Sequence, residues 1–218
     1  MKKRLAISLA LLVLFSTYKP QNITLSNKFN IKEIKIENNF ILKDEEIKKD
    51  LLFLYNNNLI FLKTFEIEKH LEANSFIESF EIKKIYPNEI IIRITEKKPI
   101  VILQSKKNKY YLSENIELIN FRDLDDYKNL PIVFGNKTSF KDLHKNLKTI
   151  NFPLNIIKKY YLYESKRWDL ETYKNKIIKL PPKNYLESLK NFISLREKNN
   201  FDKYNVFDYR IENQLILK

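Results

Sequence analysis

Hydrophobic and polar residues alternate along the first half of the chain in a pattern that predicts short strands and amphipathic helices. Residues 29–36 alternate between apolar and polar residues, which indicates a strand. A helix is predicted to follow, with Asp44 as its N-cap and with Ile47 and Leu51 on one face. A second helix is predicted to begin at Thr64. Each helix has one apolar face, so both are expected to pack against a sheet.

Two further strands complete this first half. Residues 76–86 and 89–96 are predicted strands joined by a turn at Pro87-Asn88. The second of them places alternate isoleucines on one side, which we expect to be buried: Ile90, Ile92 and Ile94. The predicted order of elements is therefore β-α-α-β-β.

From Pro99 onward short strands predominate. The predicted strands are residues 100–103, 110–112, 117–119, 130–134, 159–164, 167–173, 176–180, 205–211 and 214–217. The predicted helices are residues 142–150, 153–158 and 184–198. The last two strands are expected to form a closing hairpin around Glu212-Asn213. We therefore predict an α+β fold whose second half is a mostly antiparallel β domain with a few helices.

The amino-terminal segment carries a different pattern. Lys2, Lys3 and Arg4 precede a run, residues 5–18, that is apolar as far as Phe15 apart from Ser8. Fourteen helical residues span about 21 Å, less than the roughly 30 Å of a bilayer core. The segment is either a signal anchor or a cleaved signal peptide.

The residues at the possible cleavage sites favour an uncleaved anchor. Cleavage after Ser16 or Thr17 would place Leu14 or Phe15 at position −3, where signal peptidase prefers a small residue. In either case the basic residues hold the N-terminus in the cytoplasm and the rest of the chain is exported. The expected segments are a cytoplasmic tail (1–4), a signal anchor (5–19), a tether (20–28), a first domain (29–98) and a second domain (99–218).

Composition excludes many catalytic and metal-binding sites. The 218 residues include one glycine, Gly135, whereas phosphate-binding loops, dinucleotide fingerprints and nucleophile elbows need two or three. There is no cysteine, and His70 and His144 are far apart in the sequence, so thiolate and paired-histidine metal motifs are absent. We expect no catalytic residues, no cofactor and no metal site, and we interpret the chain as a binding and scaffolding protein.

The charge of the chain is strongly positive. Lysine and arginine number 40 against 27 acidic residues, a net charge of +13. Such a balance is typical of proteins that bind nucleic acid or anionic surfaces, but a binding footprint should cluster its charge, and here the lysines are spread. The abundance of Lys, Asn and Ile indicates a compositional bias, so no nucleic-acid partner is expected. Asp123, Asp125 and Asp126 are spaced as in calcium loops but lack the accompanying glycine and glutamate.

A group of motifs in the first half resembles a known family. Residues 75–103 contain a strand, a basic stretch, the aromatic-proline turn Tyr86-Pro87, a second strand and the Glu-x-x-Pro sequence from Glu96 to Pro99. This arrangement resembles the core of the bacterial cell-division family FtsQ, called DivIB in Gram-positive bacteria. The β-α-α-β-β order resembles the POTRA domain of that family.

Three more motifs follow in the order that the family shows. Residues 130–135 resemble its Leu-Pro-x-x-x-Gly strand end, residues 166–170 its Arg-x-Trp-x-Leu strand, and residues 207–210 its closing Val-Asp-Leu-Arg segment. Two features depart from the family: the tail before the apolar segment is only four residues, and Lys174-Asn175 stands where the family carries glycine in a turn. Asparagine tolerates a positive φ, so we expect that turn to form.

The resemblance implies a single-pass type II protein of the inner membrane, with most of its chain in the periplasm at the division septum. It implies divisome partners, above all FtsB and FtsL, with further division proteins on the POTRA-like domain. We expect binding by β-strand addition at the chain-terminal strand. The candidate partner-binding residues are Arg167, Trp168, Asp208, Tyr209, Arg210, Ile211, Gln214, Leu215, Ile216 and Leu217.

Other interpretations of these residues and of the whole chain stay open at this stage. Trp168 can be a core aromatic residue instead of an interface anchor, and Arg210 with Asp208 can be a surface ion pair of little energetic value. A POTRA-type chaperone for outer-membrane proteins would share the strand-addition chemistry, but it would carry repeated POTRA units. An exported binder of nucleic acid or anionic surfaces would rest on the net charge alone.

Overall fold

The computed structural model describes residues 2–17, 27–105, 108–196, 202–211 and 214–218. The chain divides into two compact units. Unit 1 comprises Met1–Ala73 and Ser79–Thr95, and unit 2 comprises Asn74–Glu78 and Glu96–Lys218. The division falls inside the strand Ile77–Ile85, because residues 77–78 belong to unit 2 and residues 79–85 belong to unit 1.

The chain begins with helix α1, Lys2–Thr17. Its described side chains are all exposed. Within the ranges that the structure describes, no helix has both the length and the apolar character needed to cross a membrane.

Unit 1 contains a three-stranded sheet and two short helices. The strands are β1 (Glu33–Glu37), β2 (Ile77–Ile85) and β3 (Glu89–Glu96), and the helices are α2 (Asp44–Asp50) and α3 (Phe65–Ala73). The order in the sheet is β1-β3-β2, and β1 runs parallel to β3. The chain order β-α-α-β-β is therefore as the pattern predicts.

The core of unit 1 follows the predicted alternation along β3. Ile90, Ile92 and Ile94 are buried, as are Ile47 of α2 and Leu51 just after it. Ile91, on the opposite side of the strand, is only half-buried. One face of the sheet thus carries the apolar core.

Two details of unit 1 differ from the sequence-based expectation. β1 begins at Glu33, because Asn27–Phe29 forms a 3-10 turn and Asn30 makes an isolated bridge to Asn58. Asp44 is not the cap of α2: Lys43 occupies that position without a side-chain hydrogen bond. The Asp44 carboxylate instead accepts a hydrogen bond of 2.8 Å from Asn39 Nδ2.

Unit 2 is built on a nine-stranded mixed sheet. Its strands are β4 (Pro99–Ser105), β5 (Asn108–Ser113), β6 (Leu118–Asn120), β7 (Ile132–Phe134), β8 (Ile157–Leu162), β9 (Trp168–Thr172), β10 (Ile177–Lys179), β11 (Val206–Asp208) and β12 (Ile216–Leu217). The order is β12-β11-β10-β9-β8-β7-β4-β5-β6. Five neighbouring pairs are antiparallel and three are parallel, so the predominance of antiparallel pairing is as expected.

The parallel pairs arise largely from helical crossovers. Helix α4 (Lys137–Thr149) connects β7 to β8, and α5 (Tyr185–Arg196) connects β10 to β11; both strand pairs are parallel. Both helices contribute to one hydrophobic core with a single face of the sheet. That core includes Phe140, Leu143 and Leu147 of α4, Leu189 and Phe192 of α5, and Val133, Tyr160, Leu170, Ile178 and Phe207 of the strands. The opposite face of the sheet carries the alternate residues of these strands.

Two predicted elements of unit 2 are corrected. Helix α4 begins five residues before the predicted start, because Asn136 is its N-cap and Asn136 Oδ1 accepts a 2.9 Å hydrogen bond from the Ser139 N–H. The helix predicted at residues 153–158 is wrong, since a 3-10 turn at Leu154–Ile156 leads directly into β8. The predicted turn at Glu212-Asn213 lies outside the described residues.

Candidate partner-binding surface

The last strand that the structure describes lies at the edge of the large sheet. β12 pairs with β11 in antiparallel register, with Phe207 opposite Leu217 and Asp208 opposite Ile216. The strand order places β12 at one edge and β6 at the other. An edge strand presents backbone groups that another chain can bond.

The register decides which backbone groups face outward. Val206 and Lys218 exchange two backbone hydrogen bonds, of 2.9 and 3.1 Å. In an antiparallel pair such bonded positions alternate with non-bonded ones. The backbone N–H and C=O of Ile216 therefore point toward β11, and those of Leu217 point away from β11. Leu217 therefore offers its backbone to a strand added at this edge.

A charged pair lies beside the edge strand. The Asp208 carboxylate accepts bonds from Arg210 Nη2 at 2.6 Å and Nε at 2.8 Å, and from the Arg210 backbone N–H at 3.1 Å. The side chain of Asp208 is buried, and the hydrogen bond from Arg210 lowers the pKa of its carboxyl below the ordinary value, with a smaller contribution from Lys179. Arg210 itself is 44% exposed, so it can contact a partner while holding Asp208.

Three adjacent strands extend this pair into a cluster. Lys179 of β10 lies in register with Asp208 of β11 on one side and with Asp169 of β9 on the other. Arg167 Nε lies 3.4 Å from Asp169 Oδ1. The Arg167 guanidinium also lies 4.0 Å from the centre of the Tyr163 ring, a cation–π contact.

We call this group the closing cluster: Tyr163, Arg167, Asp169, Lys179, Asp208 and Arg210. Its strand residues lie on the sheet face opposite the helices, because cross-strand partners share a face. Two buried carboxylates are surrounded by three cationic side chains. The cluster therefore has a net positive charge, and its Asp208–Arg210 pair lies next to the edge strand.

A cleft borders residues 207–211, which we call the closing segment. It has a volume of about 570 Å³ and is lined by the start of α5 and by residues that include Tyr209, Arg210 and Gln214. The Tyr209 hydroxyl joins the closing segment to α5 by donating a 2.9 Å hydrogen bond to Asn191 Oδ1. Burial raises the pKa of the Tyr209 hydroxyl, which stays protonated at neutral pH.

The structure divides the candidate residues from the sequence into accessible and buried groups. Arg210, Ile211, Gln214 and Ile216 are exposed, Arg167 is partly exposed, and Leu215 and Leu217 are half-buried against the edge of the core. Asp208 and Tyr209 are buried, and each forms a hydrogen bond within the chain, with Arg210 and Asn191 respectively.

Of the two interpretations of Trp168 that the sequence leaves open, its burial supports the core residue. Its side chain is 4% exposed and packs edge-on against Phe140 of α4. It also lies against Gly135, where a Cβ atom would come within 3.3 Å of Trp168 Cη2. Trp168 is therefore a core residue of unit 2.

Three members of the closing cluster were missed from the sequence: Tyr163, Asp169 and Lys179. Asp169 alternates with Trp168 along β9, so strand periodicity alone could have placed it on the face that Arg167 shares. Lys179 gave no such signal, because its importance depends on the parallel crossover that brings β11 beside β10.

The sequence comparisons cover both units. Residues 29–97 match the family described as POTRA domain, FtsQ-type, and residues 101–210 match the family described as cell division protein FtsQ/DivIB, C-terminal. The chain belongs to the FtsQ/DivIB family. The second match ends at Arg210, so the closing cluster lies within it and β12 lies beyond it.

Curated relatives agree with this membership. The cell division protein FtsQ of Rickettsia conorii is 26% identical over 209 residues, which is 93% of this chain and 78% of that protein. The cell division protein DivIB of Clostridium tetani is 27% identical over 114 residues, 52% of this chain, and the match spans only 42% of that relative. A solved structure, the major extracytoplasmic domain of DivIB from Geobacillus stearothermophilus, matches half of this chain at 11% identity and a TM-score of 0.33, too low to bear on the fold.

Proposed function

We propose that the chain is a membrane-anchored scaffold of the division machinery that binds the FtsB/FtsL pair through β12 and the closing cluster. Membership of a cell-division family supports the division role. The single observation that carries the binding mode is the edge position of β12, with the backbone of Leu217 directed away from β11.

Strand addition explains how so short an edge can bind specifically. An added strand would form backbone hydrogen bonds with β12, and side chains beside it would fix the register. Arg210 follows β11, the neighbour of β12, and is oriented by the buried Asp208. Arg167, beside β9 further into the sheet, is oriented in the same way by the buried Asp169. Pre-oriented guanidinium groups bind a carboxylate with less loss of side-chain entropy. The proposed partner strand therefore carries an acidic side chain near its contact with Arg210.

The anchor is assigned to α1. Its described side chains are exposed and, beyond Lys3 and Arg4, almost all apolar, so the helix has no polar face to present to water. A helix of 16 residues is about 24 Å long, and bilayers adapt to short spans by local thinning. The basic residues at its start favour a cytoplasmic N-terminus, with both units outside the cytoplasm.

Crosslinking in cells tests this proposal. A photo-reactive amino acid replaces Ile216 on β12 in the full chain, and a matched variant carries it at Leu118 on β6, the opposite edge of the same sheet; both side chains are similarly exposed. Ile216 should capture FtsB or FtsL, and Leu118 should not. Capture of neither protein from Ile216, or equal capture from both edges, would contradict the proposed binding mode.

A further inference from the structure

One end of unit 1 exposes large apolar side chains. Phe61 is 65% exposed and Phe65 is 71% exposed, and Leu52, Ile60 and Tyr86 are also exposed. Phe61 and Phe65 line a shallow depression of about 320 Å³ with Asn57. Clustered apolar surface of this kind marks a site of interaction with a partner or a membrane.

The hydrogen bonds of unit 1 place these side chains where the chain enters the unit. Leu59 N–H donates to Phe29 O at 2.8 Å, and Ile31 N–H donates to Asn57 O at 2.9 Å, so the loop that leads to Phe61 lies beside the entering segment. Lys32 N–H donates to Asn88 O at 2.9 Å, which brings the β2–β3 turn to the same end.

One further hydrogen bond and the position of α3 complete this end of the unit. Lys84 Nζ donates to Leu62 O at 2.6 Å, which joins the end of β2 to the loop. Phe65 is the first residue of α3, whose far end at Ala73 leads to the opposite end of the sheet, where β2 begins. We call this surface the entry end: Phe61, Phe65 and Tyr86, with the lysines described next.

Lysines surround the apolar side chains at the entry end. Lys28, Lys32 and Lys63 are exposed, and none has a carboxylate within 4.0 Å among the described residues. The nearby carboxylates of Glu33 and Glu89 are both occupied by Lys35, at 3.5 and 2.6 Å. The entry end therefore combines exposed aromatic rings with unpaired positive charge.

We propose that the entry end lies in the headgroup layer of an anionic bilayer, with Phe61 and Phe65 inserted at the acyl boundary and the lysines on lipid phosphates. This inference rests on the proposed anchor. Ten residue steps separate Thr17 of α1 from Asn27, so a membrane-embedded α1 keeps Asn27 within about 35 Å of its end, and the entry end is the part of unit 1 that this connection reaches first. Aromatic rings bordered by lysines are the composition that favours such an interface.

The absence of cysteine makes a site-specific test possible. The full chain is labelled with an environment-sensitive nitrobenzoxadiazole dye at Asn57→Cys in the entry end, or at Glu72→Cys near the far end of α3 as a control; both positions are exposed. Each labelled chain is reconstituted into phosphatidylethanolamine/phosphatidylglycerol vesicles, with or without brominated acyl chains as quenchers.

The dye at residue 57 should emit to the blue of the dye at residue 72 and should be quenched by brominated lipid, whereas the dye at 72 should not. Changing Phe61 and Phe65 to serine in the Asn57→Cys chain should remove most of the quenching, and vesicles of phosphatidylcholine alone should weaken it. Unchanged melting of the serine variant shows that unit 1 remains folded, as the exposure of both rings leads us to expect.

Several results would overturn the inference. Equal emission and quenching at 57 and 72 in chains that float with the vesicles contradicts it and leaves the anchor intact. Quenching that survives the serine changes would show that the two rings do not insert. Quenching in phosphatidylcholine equal to that in the anionic vesicles would show that the lysines do not bind lipid phosphates. A chain that does not float with vesicles contradicts both the anchor and this inference.

Discussion

Asp208 and Arg210 lie two residues apart on the closing segment, and the carboxylate of the first holds the guanidinium of the second through bonds of 2.6 and 2.8 Å. The buried aspartate would be costly to expose without a partner, and the half-exposed arginine is fixed in direction by it. The pair therefore links the stability of unit 2 to the surface that we propose for binding.

This pair makes the stability of unit 2 depend on pH. The pKa of Asp208 is lowered in the folded chain from an ordinary value of 3.8, so its contribution is complete above that value and is lost as the pH falls through the folded pKa. The Asp208→Asn variant should be less stable by about 1 kcal/mol at neutral pH, and the difference should shrink in acid. Urea unfolding followed by the emission of Trp168, the only tryptophan, measures it within unit 2. A difference that stays constant from neutral pH to pH values well below 3.8 would contradict the assignment.

The single glycine gives a second prediction. A Cβ atom at Gly135 would lie 3.0 Å from Leu162 Cβ and 3.3 Å from Trp168 Cη2, both closer than ordinary packing allows. Gly135→Ala should therefore destabilise unit 2 by about 1–3 kcal/mol. Adding Trp168→Phe should cost less in the Gly135→Ala chain than in the parent, because it removes one of the two close contacts. Because Trp168→Phe removes the only tryptophan, hydrogen exchange within unit 2, followed by mass spectrometry, measures these chains. Additive costs would show that the two residues are not coupled.

The core of unit 1 gives a third prediction. Ile92 is fully buried and Ile91, on the other side of β3, is half-buried. Ile92→Ala should cost about 2–5 kcal/mol, and Ile91→Ala should cost clearly less. Hydrogen exchange within unit 1, followed by mass spectrometry, measures both, since the tryptophan lies in unit 2. Equal costs would mean that both faces of the sheet are covered.

The sequence pattern predicted unit 1 better than unit 2 for a physical reason. Isoleucine at every second position of β3, from Ile90 to Ile94, and a turn at Pro87-Asn88 favour a single strand, and the strand Glu89–Glu96 has the predicted bounds. Asparagine also forms the turn at Asn175 with a φ of 56°, as expected where the family has glycine. In contrast, Ile156 and Ile157 belong to a short apolar stretch that fits a helix or a strand equally well, and only pairing with β7 and β9 makes it a strand.

The candidate surface could be predicted only in part. The resemblance pointed to residues near Arg210, and the register of β12 showed which of them face outward. Burial of Trp168 and Tyr209 depends on the crossover helices α4 and α5, whose position against the sheet is a tertiary property that strand periodicity does not contain. For the same reason Lys179 joins the cluster only in the folded chain.

The fourth prediction concerns charge at the closing cluster. Arg210→Glu should weaken binding to the FtsB/FtsL pair, because it reverses a charge beside the contact. The loss should be larger at low salt, because dissolved ions screen the interaction between exposed charges. The matched control is Arg196→Glu at the end of α5, an equally drastic change at an exposed residue away from β12. Titration of each full-length variant in lipid nanodiscs with the FtsB/FtsL pair, at two salt concentrations, compares the losses of affinity. Equal losses for both variants would indicate a general effect of net charge instead of a contact at Arg210.

The most direct test of strand addition compares Leu217→Pro with Leu217→Ala in that titration. Both variants lose the half-buried side chain, but only proline removes the N–H that points away from β11. Both chains should melt alike, and the proline variant should bind the FtsB/FtsL pair about tenfold more weakly than the alanine variant, as loss of one backbone hydrogen bond of about 1.4 kcal/mol would produce. Equal affinities of two well-folded variants would contradict strand addition at β12.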